Sequence, residues 1–490
     1  MLDFEPASVA VPAGHFIDGR VVAGEGEAIG VRRPSDSVLY ADLPVGSADL
    51  VDRAVTSAAE AQRRTDWATR APRDRARVLR RFADLIDARA EELGRLEALG
   101  STRPIAQALA VDVASTAEGF RFFAEYADKL GGEVAATRSD SLGLVISEPY
   151  GVVAAITPWN FPLSMASWKA GPALAAGNAV VLKPSELTPF STVLLARLAV
   201  EAGVPPGIFN VVQGTGAVTG DALCRHPLVG KISFTGSTRT GAAIMAASAA
   251  SGAKPVTLEL GGKSPQLVFA DTPSADRTAR QVAAAILGNA GQVCVAGSRL
   301  IVQRRLRDEM VERLAALFAE VRPGPTWRED TSFSPIISTP QADRIDGIVR
   351  RSLAAGAQVL TGGRRLASIQ DGAFYEPTIL TDVTPDMPAV REEIFGPVLT
   401  VQAFDEEEEG LALADHPDYG LAAGVHTADL GRAMRAVRRL QAGTVWVNRY
   451  GRTADFILPT GGYKRSGIGK DLGRQAVEAN LRHKSVLIEF

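Results

Sequence analysis

The side chains best suited to chemistry are a cysteine, a glutamate and an asparagine, each set where an apolar run meets glycine or proline. Cys294 stands in Gly291-Gln292-Val293-Cys294-Val295-Ala296-Gly297. A free cysteine is most often a buried packing residue. Glycines on both sides place this one on a turn, where a thiolate has the access that a nucleophile needs. The other cysteine, Cys224, lies between Leu223 and Arg225 in a helical pattern and keeps the packing reading. Glu259, in Leu258-Glu259-Leu260-Gly261-Gly262-Lys263, ends an apolar run. A carboxylate there is costly unless paired or functional. It either bridges to Lys263 or Lys254, or serves as a general base with a raised pKa. Asn160, in Thr157-Pro158-Trp159-Asn160-Phe161-Pro162, sits between two prolines. It is either a turn former or an amide donor to a developing oxyanion.

Other segments suit ligand binding. Phe234-Thr235-Gly236-Ser237 follows one apolar run and opens a helical stretch, the context for a phosphate at a helix N-terminus. Gly214-Thr215-Gly216 follows another and reads equally as an ordinary strand-to-helix turn. Leu182-Lys183-Pro184-Ser185-Glu186 ends a third, as either a ribose-binding pair or a solvated loop with one ion pair. His15, His226, His416, His426 and His483 lack a His or Cys at ligand spacing, so no metal is expected. A G-x-x-x-x-G-K-[ST] loop is absent.

The elements that position these residues alternate. Leu144–Ile146, Val152–Ile156, Ala179–Leu182, Phe209–Val212, Lys231–Phe234 and Pro255–Leu260 are short, Val/Ile/Phe-rich and bounded by Gly or Pro. Helical stretches such as Thr188–Gly203 and Thr238–Ser251 fill the gaps. That pattern predicts a doubly wound α/β sheet. A second alternation, from Gln266–Phe269 to Thr444–Val447, predicts another α/β domain. Leu50–Trp67 and Arg73–Leu99 read as helices, the second with a stripe of Val78, Leu79, Phe82, Leu85, Ile86 and Leu93. Lys169, Gly171, Pro172, Gly177 and Asn178 interrupt the bland run Ala166–Leu182 as turn signals do. Asp405–Glu409 reads as a solvated helix start.

Composition bounds the rest. A chain of 490 residues exceeds one ordinary core. Its 53 basic and 56 acidic residues, net −3, give no electrostatic reason to expect nucleic acid or an anionic membrane. Two cysteines exclude a disulfide framework and suit a reducing cytoplasm. Met1–Gly14 has no basic n-region or apolar core of a secretory signal, and no run is long enough to span a bilayer.

Seven segments, in order, resemble the aldehyde dehydrogenase superfamily: PWNFP at 158–162, KPSE at 183–186, FTGS at 234–237, LELGGK at 258–263, GQVC at 291–294, EEIFGP at 392–397 and GGYKRSG at 461–467. The resemblance implies a Rossmann-like dinucleotide-binding domain (1–125 and 150–258), an α/β catalytic domain (259–458) and a small β oligomerisation arm (126–149 and 475–490). It implies that Cys294 attacks the aldehyde, that Asn160 and the Cys294 N–H hold the oxyanion, and that Glu259 activates water. It places Lys183, Ser185 and Glu186 at the adenosine ribose, and Gly216, Gly220, Phe234, Gly236 and Ser237 at the pyrophosphate and adenine side. Ile156, Thr157, Pro158, Trp159, Leu260, Glu393 and Phe395 complete the cofactor site. Phe161, Met165, Trp168, Val293, Arg449 and Phe456 line the substrate pocket.

Glu186 bears on cofactor choice: a carboxylate at the ribose repels a 2′-phosphate, so NAD is expected over NADP. Met165, Trp168 and Phe456 favour an apolar or aromatic aldehyde, whereas Arg449 or Arg452, if turned inward, would hold a carboxylate, as in a semialdehyde acid. Asp471 stands where many relatives carry a Glu that, in some, joins a proton path with a Lys matching Lys169. Rival readings are a CoA-acylating enzyme, a branch that generally lacks the base, and a non-catalytic binding protein on the same fold. The β-prone run Lys484–Phe490 suggests pairing with another subunit, hence a homodimer or homotetramer.

Overall fold

The computed structural model describes residues 2–24, 26–366 and 371–490. Five parallel strands form the centre of an eight-stranded sheet. Across the sheet they run Phe209–Val211, Ala179–Lys183, Val152–Ile156, Val229–Thr235, Val256–Glu259. The chain therefore winds outward from Val152–Ile156 in one direction, then crosses to its other side. Ligands of open α/β sheets lodge at the strand carboxyl ends beside such a reversal. Here those ends lead into Thr157–Asn160 and Gly236–Ser237. Unbroken Val and Ala runs suit strands covered on both faces, and every residue of Val152–Ile156 and Ala179–Lys183 is buried. On the far edge, Gly467–Ile468 pairs antiparallel with Leu258 and Glu259. A Cβ on Gly467 would stand 2.4 Å from the Leu258 carbonyl, so glycine permits this docking.

A seven-stranded sheet carries the second alternation. Gln358–Thr361 lies at one edge and Thr444–Val447 at the other, with Pro265–Val268 and Arg299–Gln303 adjacent and parallel inside it. A third sheet stacks Leu481–Glu489, Ser141–Pro149 and Glu133–Ala135. The C-terminal strand thus takes its partner, Ser141–Pro149, from its own chain over nine residue pairs.

Two local expectations change and a third holds. The helix expected over Arg73–Leu99 is two helices, Pro72–Ala88 and Ala90–Gly100, parted at Arg89, whose φ of −110° and ψ of 24° leave helical geometry. Lys169, Gly171 and Pro172 do not break the chain but lie inside the helix Pro162–Ala175. That helix is buried at every residue except Trp168, and a Cβ on Gly171 would meet the Phe123 ring at 2.6 Å. Packing against Phe123 thus overrides the local preference of a Gly-Pro pair. The acidic run begins the helix Glu407–Ala414, with Glu407, Glu408 and Glu409 in its first turn, where carboxylates suit the helix dipole.

Candidate active site

The loop after Val152–Ile156 is held at both ends. Thr157 N–H donates to the Lys183 carbonyl at 3.1 Å, and Pro162 opens the helix Pro162–Ala175. The first-turn N–H of Leu163 donates to Glu97 Oε1 at 2.8 Å. Glu97 is buried, and burial first, then Asp112, raises its pKa to about 8. Asn160, buried between these anchors, donates from Nδ2 to the Gln292 carbonyl at 2.9 Å. That bond uses one amide hydrogen and aims the other.

The cysteine loop is strained and clamped. Asn289, Ala290 and Gly291 all have positive φ (50°, 49° and 71°). For the two non-glycine residues this costs about 1–2 kcal/mol each, held only where surroundings over-determine it. Asn289 accepts from Thr102 Oγ1 at 2.6 Å and donates to the Asn160 carbonyl at 3.2 Å. The Gln292 amide donates to the Asn289 and Pro335 carbonyls and accepts from the Ile337 N–H. A Cβ on Gly291 would fall 2.1 Å from the Gly396 carbonyl. These contacts fix Cys294, half-buried at the loop's end. Burial raises its thiol pKa above the ordinary value, opposed by Arg452 and reinforced by Glu259 and Glu393. Cys224, in contrast, is buried in the core, its pKa pushed up to about 12 by burial.

Glu259 ends its strand with its carbonyl accepting from Gly236 N–H at 3.0 Å. It pairs with neither lysine considered for it. Lys254 donates to the Cys224 and Ser251 carbonyls, and Lys263 Nζ is buried without a partner among the described residues. Glu259 Oε1 is likewise buried and unpartnered. Its pKa lies well above the usual carboxylate range because of burial and then Asp471, with Lys169, Arg452 and Lys470 pulling the other way. Asp471 Oδ2 is 2.6 Å from Lys169 Nζ, both side chains being almost wholly buried. The shorter acid at 471 still closes this pair.

A cavity of about 1210 Å³ joins the two sheets. Cys294, Asn160, Pro158, Trp159, Phe161, Met165, Trp168, Val293 and Phe456 line it, as do Gly236, Ser237, Leu260, Glu393 and Phe395. Glu393 Oε1 accepts from Gly262 N–H at 2.9 Å, and Gly261 leaves room where a Cβ would lie 2.3 Å from Glu393 Oε2. Trp159 and Phe395 meet edge to face at 5.2 Å.

Glu259 is not among the residues lining the cavity, although its neighbour Leu260 and its strand partner Thr235 are. Ile156, Thr157, Lys183, Ser185, Glu186, Gly216, Gly220 and Phe234 also stand outside it, at or near the strand ends. Lys183 is buried and 3.5 Å from Glu186 Oε2, which is partly exposed. Arg449 is exposed and absent from the wall, whereas Arg452 is part of it.

Residues 21–486 match the Aldehyde dehydrogenase family. The chain belongs to that family. It is similar to an indole-3-acetaldehyde dehydrogenase variant of P. syringae solved with NAD+ and IAA, at 41% identity and TM-score 0.97, covering 99% of this chain and 98% of that one. It is similar to the gamma-glutamyl-gamma-aminobutyraldehyde dehydrogenase of Burkholderia cenocepacia J2315, at 43% identity and TM-score 0.96, with the same coverage of 99% and 98%. The aldehyde dehydrogenase KauB of Pseudomonas aeruginosa matches at 41% identity and TM-score 0.96, over 98% and 97% of the two chains. The anchors Glu97, Asn289 and Gln292 escaped the sequence reading of this aldehyde dehydrogenase. Their only signal was polarity inside otherwise apolar or glycine-rich surroundings. No helix among the described residues is long and apolar enough to cross a membrane.

Proposed function

We propose that the chain oxidises an aldehyde to the carboxylic acid with NAD, by the hydrolytic route. The observation that carries this reading is Cys294 and Asn160 lining one cavity, with Glu259 buried, unpaired and among the charges that act on Cys294. Cys294 Sγ attacks the carbonyl carbon to give a thiohemiacetal. The free Asn160 amide hydrogen and the Cys294 N–H hold the oxyanion. NAD, when bound, would supply the hydride acceptor facing that carbon. The acyl group remains on Cys294 as a thioester. Glu259 then takes a proton from the water that cleaves it, which disfavours the CoA-acylating alternative. To do so its carboxyl swings toward the cavity, a rotation that breaks no hydrogen bond at Oε1.

The residues fit a dinucleotide. Ser237 caps the helix Thr238–Ala250 with its N-terminus turned to the cavity end of the sheet, and Lys183 and Glu186 stand together two strands away. Glu186 at the ribose favours NAD over NADP. NAD+ complexes of the similar indole-3-acetaldehyde dehydrogenase and of a Bacillus cereus aldehyde dehydrogenase support the same cofactor. The three-stranded sheet, with Val134, Leu487 and Phe490 exposed, suits an oligomerisation arm of a dimer or tetramer. The available thiol suits a reducing cytoplasm.

The test is NADH formation on aliphatic, aromatic, amino- and carboxy-aldehydes. Cys294→Ala is expected to lose more than about 1,000-fold in turnover. Wild-type turnover in that variant overturns the mechanism.

A further inference from the structure

The substrate side of the cavity carries a cation, Arg452, that forms no ion pair among the described residues, although its charge acts on Glu259 and Cys294. Arg452 lines the wall together with Cys294, Trp168 and Phe456. Its guanidinium lies 5.3 Å from the centre of the Trp168 ring, a cation–π contact that fixes its plane. Nη2 donates to Thr460 Oγ1, and this is its only hydrogen bond among the described residues. Nε is buried with no partner, and so is the indole Nε1 of Trp168 beneath it. Arginine and the tryptophan indole are donors only. These two atoms offer donors only, and the remaining guanidinium N–H groups are what an acceptor in the cavity would meet.

Two acids on that side are in no ion pair among the described residues: Glu118, which is exposed, and Glu259, which is buried and whose charge Arg452 favours. Arg121 is bound to Asp84 and Asp87, and Asp112 is paired with Arg103 at 2.7 Å. Arg452 is part-buried in the cavity wall and in no ion pair, so an anion entering there meets a guanidinium with donors to spare. Asp471 is not available to it, being closed on Lys169. The surrounding Phe161, Met165, Trp168 and Phe456 would strip water from an anion brought to Arg452 and strengthen the contact.

We propose that Arg452 is an anion subsite, and that the substrates are aldehydes bearing a carboxylate at the end remote from the carbonyl. This rests on the oxidation reading above and narrows it. The carboxylate would meet the guanidinium while the carbonyl reaches Cys294, so chain length sets which semialdehyde acid fits.

The test compares kcat/KM with NAD for matched linear pairs, an alkanal and the ω-carboxy-alkanal of equal carbon number, from four to eight carbons. Wild type, Arg452→Gln and Arg452→Lys are measured. The ratio of carboxylate to neutral substrate is expected to peak at one length, to fall about 100-fold in Arg452→Gln and to recover in part in Arg452→Lys. A ratio that moves less than about threefold at every length overturns the proposal. Alkylation of Cys294 by neutral iodoacetamide supplies a readout without turnover. Glutarate is expected to slow it in the wild type and not in Arg452→Gln. Equal protection of both proteins, or of neither, overturns the subsite even if every aldehyde yields NADH. If no aldehyde of either series yields NADH while glutarate still protects only the wild type, the oxidation reading fails and the anion subsite stands. A shift of the alkylation pH profile in Arg452→Gln with an unchanged substrate ratio assigns Arg452 to the thiolate and refutes the proposal.

Discussion

Glu259 is buried and Glu393 lines the cavity, and desolvation raises the pKa of both carboxyl groups. They differ in what holds them. Glu393 belongs to the loop before the strand Val398–Phe404. It accepts the Gly262 N–H at 2.9 Å, and Arg344 and Lys263 lie near enough to favour its charge. Glu259 ends a strand of the eight-stranded sheet, its Oε1 accepts nothing among the described residues, and Asp471 disfavours its charge. A fixed, partly compensated carboxylate is suited to holding a ligand. An unanchored carboxyl with a strongly raised pKa is suited to moving a proton at neutral pH. The two acids thus divide binding from proton transfer.

Replacing each acid by its amide breaks or sharpens that division. Glu259→Gln is expected to lower steady-state turnover by about 1,000-fold while leaving a first-turnover burst of NADH, because only deacylation needs the base. Rapid-mixing absorbance measures both phases, and loss of the burst itself would place Glu259 in an earlier step. Glu393→Gln keeps the acceptor for Gly262 and removes only the charge. A rise of about tenfold in KM for NAD, with burst and steady state in unchanged proportion, is expected there. A selective loss of deacylation in this second variant would erase the distinction between the acids.

Much of this site was legible because the chemistry lies on short strand ends, where residue type and local grammar coincide. Cys294 between glycines, Glu259 closing an apolar run and Asn160 between prolines could each be named before any contact was known. The five parallel strands followed from their Val-rich runs. The supports could not be read, because they act across sequence distance. Glu97 reaches Leu163, Thr102 reaches Asn289, and Gln292 reaches Ile337. Pro172 misled because burial of its helix, with Gly171 against Phe123, outweighs its local preference. The loop 449–458 has no regular period, so spacing could not tell the exposed Arg449 from the inward Arg452. The room for the Glu259 carboxyl was equally unreadable, since it is left by the distant Gly461, where a Cβ would lie 2.9 Å from Oε1.

The smallest effect concerns Asp471, which lies between the two behaviours because it is fixed by Lys169 yet acts on Glu259. Its negative charge raises the Glu259 pKa, while the Lys169 ammonium opposes it. Asp471→Asn removes the first influence and retains the second, so the Glu259 pKa falls. The base form is then populated at lower pH. Deacylation, which rises with pH as Glu259 loses its proton, is expected to begin its rise at lower pH in the variant. The Cys294-dependent burst should keep its own profile, since burial, Arg452, Glu259 and Glu393, and not Asp471, dominate that thiol. Single-turnover thioester hydrolysis against pH reads the first, and the burst rate reads the second. A shift of the deacylation limb to higher pH would mean that losing its carboxylate partner displaces Lys169. The ion pair would then matter to Glu259 through position rather than charge.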